Sequence, residues 1–351
     1  MPIPVAILTH AGGPHLDAYL TALAASSEVG EVSVADPSGS TFAAAQKALG
    51  PKLKSTGKDI VAVLREAKPK MALITMEAVL TPTAIDAALE QGCHVLAEKP
   101  ACVRAADFEP LVRKAEGKHL HLMLALANRL RPEAREAQRL VREGRLGKLY
   151  GMEIHLVADQ TRLKSEGYRK SWMGQKARGG GGHFTWLGIH WLDLALFITG
   201  AEVEAVAGFS GNVGGQPMDV EDSNAAALRF TNGMFGTMTS GYYLDRGYHQ
   251  HIKVWGEQGW LELNHQPEVS LKWYSTAEPK VSGVQNYTPP NEPGGYTPFV
   301  HACARASAGL QPPPVTGREG MRVLWILQKQ LSNSARILIK KCNICMKKMT
   351  H

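Results

Sequence analysis

The sequence predicts two fold classes in one chain. An α/β half built on a doubly wound parallel sheet is followed by an α+β half with a mostly antiparallel, open-faced sheet and helices on one side. Three observations carry this. At 351 residues the chain is too long for one ordinary core and suits two domains. Up to about residue 127, short apolar runs alternate with helical patterns, which implies right-handed crossovers and parallel strands. From Lys148 the runs alternate apolar and polar residues and meet at turns such as Thr231-Asn-Gly233 and Glu257-Gln-Gly259, as hairpins do.

The first half opens with Val5-Ala-Ile-Leu8, a buried-strand run, then the turn Thr9-His-Ala-Gly-Gly-Pro14. A helix follows with Leu16, Tyr19, Leu20 and Leu23 on one face. Strand, glycine turn and helix is the setting in which backbone N–H groups cradle a pyrophosphate, so Thr9, His10, Gly12 and Gly13 are candidate cofactor contacts. The GxGxxG spacing is absent: Thr9, Ala11 and Pro14 stand where its glycines are expected. Glu31-Val-Ser-Val-Ala-Asp36 is a second strand ending in an acid, some two dozen residues after Gly12. That spacing suits a carboxylate accepting from ribose hydroxyls. It would repel a 2′-phosphate, and no Arg follows directly, so NAD is favoured over NADP. A turn or helix cap before Pro37 is the other reading of Asp36.

Helices are expected over 42–49 and 60–67, a core strand over 71–74, and a helix over 83–91 closed by Gly92. His94 to Ala97 is the next strand, followed by a helix over 108–116 and a strand over 120–127 that ends in Asn128-Arg129. The first domain is therefore expected over 1–127 and the second over 128–338. In the second, a charged helix (133–143) precedes strands over 150–157, 205–209, 223–230, 235–243, 251–255, 260–263 and 269–273. A helix over 185–199 follows the glycines at 179–182, another runs 318–337, and the Pro/Gly-rich 285–298 reads as a loop.

Composition excludes several classes. Hydrophobic content of 44% and charge of 20% suit a globular protein. No apolar run is long enough to span a membrane, and Met1-Pro-Ile-Pro is not an export leader, so a cytoplasmic protein is expected. Lys340, Lys341, Lys347 and Lys348 supply four of the seven net positive charges, which places the basic excess in a tail (339–351) outside the fold and argues against nucleic-acid binding. Five scattered cysteines imply no disulfide framework. Cys342 and Cys345 have zinc-ligand spacing but lack a second pair, so no metal is expected.

Two residues are candidates for chemistry. Glu98-Lys99-Pro100 closes a strand of the parallel sheet, and ligands sit beyond the carboxyl ends of such strands. Lys99 there can hydrogen-bond a substrate oxygen and stabilise charge on it. In the helix after the glycine run, His183, Trp186, His190, Asp193 and Phe197 share a face. His190 is the candidate acid/base, since a neutral imidazole accepts a proton from an alcohol; a satisfied core histidine is the alternative. Tyr168, Tyr242, Tyr243, Tyr296 and Trp172 are either sugar-stacking groups or ordinary packing.

Several landmarks occur in a fixed order. They are Ala97-Glu-Lys-Pro100, Asn128-Arg129, Gly144-Arg-Leu-Gly147, and the run from Gly180 to Asp193 that contains Gly188-Ile-His190. Val220-Glu-Asp222, Trp255-Gly-Glu-Gln-Gly-Trp-Leu-Glu262 and Val315-Thr-Gly-Arg-Glu-Gly320 complete the set. Together, over roughly residues 3 to 338, they resemble the glucose–fructose oxidoreductase/inositol dehydrogenase (Gfo/Idh/MocA) family.

That resemblance implies an N-terminal Rossmann domain holding NAD, a C-terminal substrate and oligomerisation domain, and oxidation of a secondary hydroxyl of a sugar, sugar derivative or cyclitol. It implies Lys99 and His190 as the catalytic pair, converging on one carbinol. Thr9, His10, Gly12, Gly13, Asp36, Met76, Glu98, Lys99 and Arg129 become the cofactor set. Lys99, Arg129, Trp172, His183, Trp186, His190 and Tyr243 become the substrate set. A homodimer or homotetramer through the C-terminal sheet is expected. Two departures stand out: Trp186 replaces the aspartate often found four residues before the histidine, and Met76-Glu77-Ala78 replaces Thr-Pro-Asn. An NAD-dependent glycosidase working by transient 3-oxidation and elimination, and a catalytically silent sugar or nucleotide sensor, are the competing readings.

Overall fold

The chain opens as alternating strands and helices: β1 (Ile3–Thr9), α1 (Leu16–Ala25), β2 (Val29–Ala35), α2 (Phe42–Leu49), β3 (Leu53–Gly57) and α3 (Ile60–Ala67). β4 (Met71–Thr75), α4 (Thr81–Glu90), β5 (His94–Ala97), α5 (Ala105–Gly117) and β6 (Leu122–Leu124) complete this part. The structure, a computed structural model, describes residues 2–264, 269–277, 282–290, 292 and 294–348, with side chains to residue 334. The six strands form one parallel sheet in the order β3-β2-β1-β4-β5-β6. β1, β4 and β5 are apolar but for Thr9, Thr75 and His94 at their ends and almost wholly buried, as strands covered on both faces must be.

The second part carries α6 (Pro132–Arg142), β7 (Leu149–Asp159), single turns α7 (Thr161–Lys164), α8 (Glu166–Lys170) and α9 (Lys176–Gly179), and α10 (Ile189–Thr199). Then come β8 (Val203–Gly211), β9 (Ser223–Phe230), β10 (Phe235–Leu244), β11 (Tyr248–Gly256), β12 (Gly259–Asn264), β13 (Leu271–Ser275) and β14 (Gln285–Tyr287). They build an eight-stranded sheet, β14-β13-β12-β11-β7-β10-β9-β8, antiparallel except for the β7–β10 pair. In β7, Met152, Ile154 and Leu156 are buried while Gly151, Glu153 and His155 face the other way, so one sheet face is covered and one is open. α11 (Tyr296–Ser307) and α12 (Gly317–Lys348) close the chain.

By contacts the chain forms two compact units. The first takes Met1–Arg131 with Ala177–Gly180 and Glu292–Arg322; the second takes Pro132–Lys176, Gly181–Asn291 and Val323 onward. α11 packs on α1 inside the first unit.

Several elements differ from the sequence expectation. β3 is a half-exposed polar edge strand, Leu-Lys-Ser-Thr-Gly, with no apolar periodicity to announce it. The strand expected over 120–127 shrinks to Leu122–Leu124, because residues 127–130 coil into a 3₁₀ turn. The helix expected over 185–199 begins as a π turn, Phe184–Gly188, before α10 proper. Within the expected loop over 285–298, residues 285–287 pair with β13 and α11 starts at Tyr296. α12 runs past residue 337 to Lys348, so much of the basic stretch is helical backbone. The side chains of Cys342 and Cys345 lie outside the described residues.

Candidate active site

In the first unit the sheet order reverses between β1 and β4, and a crevice opens where neighbouring strands lead away in opposite directions. The turn after β1 is shaped by two glycines. Gly12 has φ +81°, a left-handed value. A Cβ on Gly13 would lie 2.4 Å from Thr9 Oγ1 and 2.6 Å from the Thr75 carbonyl oxygen, so no other residue fits. Thr9 Oγ1 donates to that same carbonyl at 3.0 Å and ties β1 to β4. His10 has Nδ1 2.6 Å from the Ala11 carbonyl and Nε2 2.8 Å from the Glu77 N–H. Nε2 must accept there, which leaves Nδ1 to donate to the Ala11 carbonyl.

Met76 is buried beside this turn, while Glu77 pairs with Arg178 through both guanidinium and carboxylate edges. The Val79 N–H also donates to the Arg178 carbonyl at 3.1 Å. From the sequence alone Glu77 is marked only by its departure from Thr-Pro-Asn, and nothing local marks Arg178. Thr9, His10, Gly12, Gly13 and Met76 thus meet at one place. A glycine turn with no room for a Cβ, leading into the N-terminus of a ten-residue helix, fits the pyrophosphate of NAD.

Asp36 lies fully buried, and its carboxylate is taken up by its own loop. Oδ1 accepts from the Ser38 N–H and hydroxyl at 2.9 and 2.8 Å; Oδ2 accepts from the Thr41 N–H and hydroxyl at 3.0 and 2.8 Å. Burial pushes its pKa up, but the Ser38 and Thr41 bonds outweigh that and hold it below the ordinary value.

Lys99 is 4% exposed, at a cis bond to Pro100 just past β5. Its Nζ stands 3.9 Å from Glu98 Oε1, and Glu98 Oε2 accepts the Tyr19 hydroxyl. Burial drives the Glu98 carboxyl up to about 7 against the downward pull of Lys99 and Tyr19. Tyr296 sits edge-on to Tyr19, with ring centroids 4.8 Å apart, so this tyrosine packs inside the first unit. Arg129 is buried and pairs with Glu319, whose carboxylate also accepts from Thr316 at the start of α12.

In the second unit the glycine run is a steric necessity. A Cβ on Gly182 would fall 1.8 Å from the Glu221 carbonyl oxygen. Glu221 grips the start of the π turn: its carboxylate accepts from the Gly182 and Phe184 N–H groups at 2.8 and 3.1 Å, and its carbonyl from His183 N–H at 2.9 Å. The His183 ring is thereby buried edge-on against Tyr242, with centroids 4.5 Å apart at 89°. Among the described residues neither ring nitrogen has a hydrogen-bond partner. Burial first, then the nearby Arg162 guanidinium, pushes its pKa down to about 3, so the ring is neutral.

Trp186 is buried against Trp172, centroids 4.9 Å apart at 70°. His190 stands half-buried in the first turn of α10. Tyr243, by contrast, is 44% exposed with its hydroxyl on the Ser240 carbonyl at 3.4 Å, and Tyr242 is the tyrosine that meets His183. Strand alternation makes that swap, since adjacent residues of β10 face opposite sides. Arg162 was not singled out from the sequence, because nothing local marks it.

Among the described residues no group of three or more His, Cys, Asp and Glu side chains could hold a metal ion. No described helix is long and apolar enough to cross a membrane.

Comparison with known proteins bears on the same segments. Residues 11–126 match the oxidoreductase family with an NAD-binding Rossmann fold, and that is the class the crevice and the glycine turn define. Residues 134–262 match the GFO/IDH/MocA C-terminal domain. The chain belongs to the GFO/IDH/MocA oxidoreductase family. It is 24% identical over 233 residues to levoglucosan dehydrogenase of Pseudarthrobacter phenanthrenivorans, covering 60% of this chain and 59% of that protein. It is 24% identical over 236 residues to myo-inositol 2-dehydrogenase of Thermotoga maritima, covering 66% and 67%. The crystal structure of an oxidoreductase domain protein from Kribbella flavida superposes with a TM-score of 0.85 at 21% identity, covering 96% of this chain and 98% of that one.

Proposed function

We propose that the protein is an NAD-dependent dehydrogenase that oxidises a secondary hydroxyl of a sugar, sugar derivative or cyclitol, with Lys99 and His190 as its acid–base pair. The observation that carries this reading is an ammonium buried beside a carboxyl just past β5, at the carboxyl end of the sheet. A lysine kept from solvent there acts on a ligand oxygen far more strongly than one in water. His190 accepts the hydroxyl proton as the carbonyl forms, and Lys99 donates a hydrogen bond to the same oxygen. Nicotinamide, when bound, supplies the acceptor for the hydride. Trp186 donates through its indole N–H and takes no proton, so the base work falls to His190 alone.

Levoglucosan and myo-inositol dehydrogenases among the relatives support a polyol substrate. We place the protein in the cytoplasm and assign it a homodimer or homotetramer joined through the open sheet face. The test is NADH formation across sugars, inositols and glycosides, with product analysis. Net NADH with a ketone product supports the dehydrogenase. Release of an aglycone without net NADH would assign the elimination chemistry instead, and ligand binding without either would leave a sensor.

A further inference from the structure

The second unit holds a group of polar side chains that its own packing leaves unsatisfied. Arg162, in the single turn α7, is half-buried, and the one hydrogen bond of its guanidinium among the described residues is a long one, Nη1 to Tyr242 Oη at 3.4 Å. Beyond Tyr242, the phenols of Tyr168 and Tyr248 lie within electrostatic reach of it. The Tyr168 hydroxyl is buried and lies beside Tyr242 at the edge of hydrogen-bonding geometry. The nearby acids are occupied: Asp159 accepts from the N–H groups of Thr161 and Gly247, and Glu221 from those of Gly182 and Phe184.

His183 closes the group with two buried nitrogens that have no hydrogen-bond partner among the described residues. Asp159 acts on this guanidinium only through space, with no ion-pair contact between them among the described residues; a half-buried guanidinium held that way is costly, and each buried orphan nitrogen adds to that cost. A ligand anion would relieve both. His183 precedes His190 by seven residues along one helical run, roughly 10 Å along the axis.

We propose that Arg162, Tyr168, Tyr242 and His183 form a subsite for an anionic substituent, so that the enzyme acts on an acidic polyol and not on a neutral sugar. The guanidinium meets a carboxylate or phosphate through paired N–H groups, the two phenols donate to its remaining oxygens, and the neutral imidazole donates one N–H. The subsite is a binding claim in its own right; that the bound acid is also oxidised rests on the dehydrogenase reading above.

The experiment titrates the NAD-loaded protein with glucose, gluconate, glucuronate and glucose 6-phosphate at fixed ionic strength. It follows heat and melting temperature, and NADH formation in parallel. At least one acid is expected to bind about ten- to hundredfold tighter than glucose. The carboxylate and phosphate arms show which group the site takes. Arg162→Leu should bring acid and neutral ligands within about twofold, and Arg162→Lys should keep part of the preference. If Arg162→Leu melts before it can be assayed, Arg162→Lys and Tyr168→Phe must each lower the ratio by several fold. Equal affinity for glucose and every acid in the wild type, or an unchanged ratio in these variants, overturns the subsite. Tight acid binding without NADH would sink the dehydrogenase reading and leave the subsite standing. NADH from neutral sugars, with no gain from an acid group, does the reverse.

Discussion

Tyr19 donates its hydroxyl to one oxygen of the Glu98 carboxylate, whose other oxygen stands 3.9 Å from the Lys99 ammonium. All three groups are buried, so the protonation state of the acid bears on the lysine beside it.

The first prediction concerns stability against pH. The Glu98 carboxyl sits at about 7 when folded against 4.5 unperturbed, raised mainly by burial. Between those values the native state keeps a proton that the unfolded chain has released. Stability is therefore full below the lower value and is lost as pH rises through the upper one. Going from about pH 5 to about pH 8, wild type should lose roughly 2–6 °C of melting temperature more than Glu98→Gln. A scan of both proteins across that range decides it; parallel curves would mean that the carboxyl is not held protonated.

Lys99→Ala should lower kcat/KM by about two orders of magnitude or more, with the loss mainly in kcat and the melting temperature little changed. His190→Asn should do the same while leaving NAD affinity intact. Turnover of either variant within about twofold of wild type would remove that residue from the mechanism.

The parallel sheet was legible because β1, β4 and β5 are unbroken apolar runs between amphipathic helices. Lys99 stands out in the sequence through the order of elements around it, and the structure buries it just past β5, where a loop lysine would be exposed. β3 was not, since Leu53–Gly57 is a polar edge strand held by pairing with β2 and not by burial. The unit around His183 was legible only in part. Gly182 announces a close approach, but not that Glu221 is what approaches, forty residues on. Choosing Tyr242 over Tyr243 needs the exact phase of a strand, and Arg162 becomes notable only when the fold sets it among tyrosines. Local pattern carries elements; it does not carry which distant side chains share a cavity.

Asp36 offers a test with two separable readouts. As the clamp of its own loop it satisfies the Ser38 and Thr41 N–H groups, so Asp36→Ala should cost about 1–3 kcal/mol of stability. Its carboxyl is held below 3.8 by those bonds, so the contribution is present above that value and fades as pH falls through the lowered one. As a ribose ligand it should also set the cofactor choice, and the variant's preference for NAD over NADP should then drop by about tenfold. A stability loss with an unchanged NAD/NADP ratio would assign Asp36 to the loop alone.

The last prediction concerns the open face of the eight-stranded sheet. Phe235 and Trp255 both pair with Gly151 from opposite sides, Trp255 pairs with Trp260, and Trp260 with Tyr274. The register therefore lays four aromatics and one glycine across five strands, the glycine between Phe235 and Trp255, on the face away from buried Met152 and Ile154. Phe235 is 65% exposed and Trp255 40%. A contiguous apolar strip of this kind is what an interface between two copies requires, and the gap at Gly151 is where a partner's side chain would enter. Burying each large aromatic contributes roughly 1.5–3 kcal/mol. Phe235→Glu combined with Trp255→Glu should raise the dissociation constant at least about a hundredfold and leave a folded monomer at micromolar concentration. Light scattering on a sizing column measures this directly. A wild-type monomer, or a doubly substituted protein that keeps its mass, would rule this face out as the interface.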